Sequence, residues 1–116
     1  MKEAIEIKNK DGQLVVSSRQ IARDFGKNHR DVLKAIDDLV AQVGVAKNYA
    51  DLFIPNEYTH EQNKQTYREY LVTRDGFSLL VMGFTGAKAL EWKLKYIEAF
   101  NKMEETVQTG ILDNLS

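Results

Sequence analysis

Arg19, Arg23, Lys27, Arg30 and Lys34 follow one another at intervals of three or four residues, with only Asp24 and Asp31 as counter-charges in the same stretch. Cations at that spacing gather on one side of a helix, where they can neutralise a polyanion such as a phosphate backbone. At the centre lies Phe25-Gly26-Lys27-Asn28-His29-Arg30-Asp31-Val32. Arg30 has the planar fork that pairs with guanine, and Asn28 has the amide that pairs with adenine. Arg19, Arg23 and Lys27 suit phosphates; His29 and, one turn on, Lys34 complete the basic side. The alternative is a solvated basic face. The chain of 116 residues carries a net charge of −1, so any attraction to nucleic acid has to be local. Residues 1–50 hold nine Lys/Arg against seven Asp/Glu, and residues 51–116 hold seven against ten.

Other chemistries find less support. His29 and His60 are the only histidines and show no ligand spacing, and there is no cysteine to form a thiolate site or a disulfide. The run Gly83-Phe84-Thr85-Gly86-Ala87-Lys88 superficially resembles a phosphate loop but lacks its spacing and the hydroxyl residue after lysine. The carboxylates show no convergent acid/base pair. The expectation is a protein that is not an enzyme and uses no cofactor or metal. The N-terminus has no apolar signal region and no apolar run is long enough to span a bilayer, so a cytoplasmic location is expected.

These side chains need elements to hold them. Ala4–Lys8 and Gln13–Val16 are β-prone, and Asp11-Gly12 between them signals a tight hairpin. Ser17 reads as an N-cap, with Gln20 completing a capping box, for a two-turn helix that Gly26 closes. A second helix is expected from Asn28 to about Val43, with Asp31 favourable near its start and Gly44 as its stop. Two helices across a short glycine-containing turn form a helix-turn-helix pattern. Gly26, Asn28, Asp31 and the hydrophobes explain the turn, whereas folding has no evident need for Lys27, His29 and Arg30.

Leu52–Pro55 and Tyr67–Thr73 read as a second hairpin, with Pro55 on an edge strand or a strand end. The tip of that hairpin, His60–Gln65, is a candidate wing; Lys64 and Arg68 could reach phosphates, Glu61 and Glu69 offset them, and a solvated loop or a partner-binding loop is the alternative. Thr73 caps a helix to Met82, and Thr85 caps a last helix to about Val107. That helix is apolar over more than one stripe, so Trp92, Tyr96, Phe100 and Met103 are nominated as core plus a homodimer or partner interface. The fold expected is α+β: a small winged-helix-like domain over residues 1–107, with a helix-turn-helix, two short hairpins and a long C-terminal helix. A flexible tail is expected over 108–116.

The blocks from Ser18 to Val32 (SRQIARDFGKNHRDV) and from Arg74 to Gly86 (RDGFSLLVMGFTG) resemble the phage regulatory protein Rha family. The stretch from Lys88 to Asn101 continues the likeness, which spans roughly residues 10–105. The resemblance implies a phage or prophage regulator acting on double-stranded DNA in a bacterial host, in a group that also includes antirepressors, which bind a repressor protein. It carries a DNA-contact role to Arg23, Lys27, Asn28, His29 and Arg30. Many members continue into a further C-terminal region, and this sequence stops soon after the shared helix.

Overall fold

Two successive residues with positive φ, Asp11 at 53° and Gly12 at 91°, reverse the chain between β1 (Lys8–Lys10) and β2 (Gln13–Ser17). Left-handed conformation at both turn residues matches the twist of paired strands, which is why Asp-Gly is favoured there. Asn9 Oδ1 accepts the Gly12 N–H at 2.9 Å and stiffens the turn. In this computed structural model the described residues are 5–43 and 51–115, with side-chain surroundings described for all of these except Val43 and 106–115.

β2 runs directly into α1 (Ser18–Asp24). Ser17 caps it as expected, its Oγ accepting the Arg19 N–H at 3.0 Å. Gln20 does something the capping-box pattern did not foresee: its Oε1 accepts the Glu6 N–H at 3.2 Å, tying the N-terminal segment to the helix. Gly26, at φ 67°, turns the chain, and Lys27 N–H closes on the Ala22 carbonyl at 2.8 Å. α2 (His29–Val43) begins as the Asn28 carbonyl accepts from Asp31 and Val32. Gly44, the expected stop, lies outside the described residues.

The second hairpin pairs β3 (Phe53–Thr59) with β4 (Thr66–Thr73). β4 also pairs with β2, Val15 opposite Thr73 and Ser17 opposite Leu71, giving an antiparallel sheet of order β1-β2-β4-β3. Pro55 therefore sits on an edge strand, where its missing N–H costs no ladder bond. Thr73 caps α3 (Arg74–Val81), its Oγ1 accepting the Gly76 N–H at 3.2 Å.

α4 (Ala87–Leu115) differs from expectation at both ends. Gly86, at φ 102°, precedes it, and the Gly86 carbonyl takes the first helical bond from Leu90 N–H at 3.0 Å, so the entry position is Gly86 and not Thr85. The helix also runs past Val107. No proline follows, and the single Gly110 costs only about 1 kcal/mol in helix propensity.

Apolar residues of α1, α2, α3 and α4 share one core with the sheet, including Ile21, Val32, Ile36, Val72, Phe77 and Tyr96. The nomination of Trp92, Tyr96, Phe100 and Met103 as an interface needs correction here. Tyr96 is 0% and Phe100 1% exposed, both within the chain's own core, and Trp92 and Met103 pack half-buried against it. The cause is aromatic packing: Phe77 of α3 stacks on Tyr96 at 4.6 Å between ring centroids, and Phe25 meets Phe84 edge-on at 5.2 Å. The stripe left in solvent is Leu90 (57% exposed), Leu94 (60%) and Ile97 (47%).

Candidate nucleic-acid interface

The junction between α1 and α2 is organised by a buried hydroxyl. Ser18 Oγ accepts the Tyr70 N–H of β4 at 3.0 Å and lies 2.8 Å from His29 Nε2. With Tyr70 N–H on one of its two lone pairs, the hydroxyl can still donate to or accept from His29 Nε2, according to the imidazole tautomer. Burial, and then the Arg19 guanidinium, push the His29 pKa below its ordinary 6.5. His29 thus pins the start of α2 to α1, and the reading that folding makes no use of it is corrected. Lys27 also has an internal partner, its Nζ lying 4.6 Å over the Phe84 ring. Arg30 alone of the three is exposed without such a contact.

A pH dependence follows from the depressed His29 pKa. Below about 6.5 the unfolded chain takes up a proton that the folded chain refuses, so this contribution to stability is present above 6.5 and lost as pH falls through the folded value. Urea midpoints are expected to drop between about pH 7.5 and about pH 5.5, with a flatter slope over that interval in His29→Gln.

Around this junction the acids are mostly engaged. Asp24 Oδ2 accepts the Tyr96 hydroxyl at 2.6 Å, and burial, with this bond second, pushes the Tyr96 phenol up. Glu69 is buried and accepts from Ser17 Oγ at 2.8 Å and Asn56 Nδ2 at 2.7 Å. Asp38 pairs with Lys34 at 3.3 Å, both side chains exposed, a contact that adds little and that a phosphate could replace. Asp31 remains exposed at the start of α2. Among the described residues Arg19, Arg23, Lys27 and Arg30 form no ion pair with a carboxylate.

Arg68, nominated as a wing residue, is placed differently. Its guanidinium grips Asp37 of α2 through two bonds of 2.6 and 3.2 Å, and the Tyr70 hydroxyl donates to the same carboxylate at 2.9 Å. The Arg68 hydrogen bonds hold the Asp37 carboxyl below its usual range. Arg68 therefore fastens the hairpin to α2, and Asp37 is neutralised where it faced the basic side. Lys64, at φ 61°, is exposed at the tip along with its neighbours Glu61 to Thr66. The tip closes on itself: His60 N–H bonds the Gln65 carbonyl at 2.9 Å, and the Tyr67 hydroxyl donates to Gln65 Oε1 at 2.9 Å and accepts from Asn63 Nδ2 at 3.0 Å.

Two basic residues on this face were not nominated from the sequence. Lys8 and Lys10, exposed on β1, line an open cleft of about 770 Å³ together with Arg19, Arg23 and His29; Glu6, Asp11 and Glu69 lie on its walls too. Their i, i+2 spacing on a strand was the available signal, but nothing local in the sequence says that β1 lies beside α1. Among the described residues no cluster of His, Asp or Glu could hold a metal ion, and no helix is long and apolar enough to cross a membrane.

The family model described as phage regulatory protein Rha matches residues 16–105. The chain is 34% identical over 100 residues to an uncharacterised protein of Haemophilus influenzae, covering 86% of this chain and 57% of that one. It is 39% identical over 97 residues to an uncharacterised protein from the gp15–gp3 intergenic region of Salmonella phage P22, covering 80% of this chain and 46% of that one. A prophage antirepressor-like protein of Bacillus subtilis, YoqD of SPbeta, is 29% identical over 109 residues, covering 93% of this chain and 43% of that one. The chain spans about half the length of these curated relatives. No solved structure matches it. With the family pattern running from the Ser17 cap across the basic junction and into α4, the chain belongs to the phage regulatory protein Rha family.

Proposed function

We propose that this phage regulatory protein binds double-stranded DNA through the face built by α1, the first turns of α2 and β1, with the β3–β4 hairpin beside α2 as the wing of a winged-helix arrangement. The observation that carries the reading is charge accounting at the junction. Four cations there have no carboxylate partner among the described residues, while Asp24, Asp37, Asp38 and Glu69 are each engaged within the chain. The strand order supports it as well, because β4 returns to β2 and so sets the hairpin alongside the helix pair. Arg30 at the start of α2 is the base-reading candidate, and Arg19, Arg23 and Lys27 are phosphate ligands.

A mobility-shift titration against phage operator fragments at several salt concentrations tests this. Arg23→Ala is expected to weaken binding across sequences and to reduce the salt slope by about 0.9, whereas Arg30→Ala is expected to weaken operator binding and relax its sequence preference. Stability should stay within about 0.5 kcal/mol of the parent, since both side chains are exposed. Salt-insensitive retardation, or none with any phage DNA, overturns the reading.

A second reading is favoured by the antirepressor-like relative and by the exposed Leu90, Leu94 and Ile97 stripe: the chain binds a repressor protein without contacting DNA. Co-purification with a phage repressor that Leu94→Glu abolishes and Arg30→Ala leaves intact would support it. This stripe, and not the enclosed Tyr96 and Phe100, is also the α4 surface open to a homodimer contact among the described residues.

A further inference from the structure

Arg19 stands where helix energetics alone would not put a cation. It lies in the first turn of α1, at the positive end of the helix dipole, where an acid is favoured. No carboxylate pairs with it among the described residues, although Glu61 borders the same small cleft at the hairpin tip. What it does have is a ring. Its guanidinium carbon lies 3.7 Å from the centroid of Tyr58 on β3. A guanidinium stacked in this way gives its face to the ring and keeps the N–H donors along its edge free for an anion.

Tyr58 is held in turn. It pairs directly across the hairpin with Tyr67, ring centroids 5.8 Å apart. Tyr67 is fixed through its hydroxyl by Asn63 and Gln65 of the tip. The hydrogen bonds of the tip thus reach Arg19 through two aromatic rings. We infer that Tyr58 is a positioning residue for nucleic-acid binding: it presents the Arg19 guanidinium to a backbone phosphate, so that the hairpin acts on the DNA-facing side through α1. This rests on the DNA-binding reading above and adds a residue that is neither basic nor in the helix pair. An arginine left to sample its rotamers gives up conformational freedom when it meets a phosphate, and stacking on the ring removes most of that loss beforehand.

The test is a double-mutant cycle read by DNA mobility shift with the full chain, using Arg19→Ala, Tyr58→Leu and the pair, and Tyr58→Phe as the conservative variant. In the parent background Tyr58→Leu is expected to weaken binding about two- to fivefold, the range of an exposed cation–π contact. In the Arg19→Ala background it should have no further effect, and Tyr58→Phe should bind as the parent does. Should Tyr58→Leu fail to fold, Tyr58→Met removes the ring while keeping bulk, with the same expectation. Equal losses in both backgrounds, a loss in Tyr58→Phe as large as in Tyr58→Leu, or no loss at all would overturn the assignment while leaving DNA binding in place. A parent chain that shifts no phage DNA would remove the underlying reading and this assignment with it.

Discussion

Gly76→Ala is expected to destabilise the domain by about 1–3 kcal/mol or more, measured as a lowered urea midpoint at unchanged m-value. Intrinsic propensity predicts the opposite sign, since alanine in a helix is favoured over glycine by about 1 kcal/mol. The clash decides. A Cβ at this position of α3 would run into the Leu52 carbonyl oxygen, lie 2.9 Å from the Leu52 carbonyl carbon and 3.2 Å from the Phe53 ring. That carbonyl cannot easily retreat, because Thr73 N–H holds it at 3.0 Å while the Thr73 hydroxyl donates to the adjoining Asp51 carbonyl at 2.8 Å. Gly83→Ala is the control: nothing lies within 4 Å of a Cβ there, and its effect should be near zero. A stabilised Gly76→Ala protein would mean that α3 does not pack on the Leu52 backbone as described.

The second large effect concerns α4. Phe100→Ala is expected to cost about 3–5 kcal/mol, the usual range for emptying a buried aromatic site. Against a total stability of about 5–15 kcal/mol for a domain of this kind, that leaves a marginal protein. Leu94→Ala, on the exposed stripe, should stay within about 0.5 kcal/mol. The loss in Phe100→Ala should also be the same at different protein concentrations, because the site is filled by the chain's own Phe77 and not by a second copy. A loss that disappears at high concentration would restore Phe100 to an interface.

These two positions show where sequence reasoning reached and where it stopped. The hairpin at Asp11-Gly12, the Ser17 and Thr73 caps and the closing role of Gly26 were legible because each is decided within a few residues by φ, by a side-chain oxygen or by strand twist. Periodicity likewise gave α4 two apolar stripes. Which stripe faces inward could not be read locally, because it depends on Phe25, Phe77 and Phe84 arriving from three other segments. The candidate site divides in the same way. Arg23, Lys27 and Arg30 were identifiable from spacing and charge. The pinning of His29 by Ser18, the capture of Arg68 by Asp37 and the stacking of Arg19 on Tyr58 all join segments far apart in the chain. An exposed arginine and one that fastens a hairpin to a helix look alike in one dimension.

The pairing of β2 with β4 limits how the basic junction could be moved into another protein. Every cation nominated for DNA between Arg19 and Lys34 lies before the end of α2, so a fragment stopping at Val43 would contain them all. It would lack the Tyr70 N–H that engages Ser18, the Arg68 that captures Asp37 and the Tyr58 under Arg19. Val15 and Val16 would lose the strand that covers them. Grafting the helix pair alone would transfer the charges without the contacts that arrange them. Stopping at Thr73 would still strip Phe25 and Asp24 of Phe77, Phe84 and Tyr96, so the transplantable unit must include α3 and α4 as well.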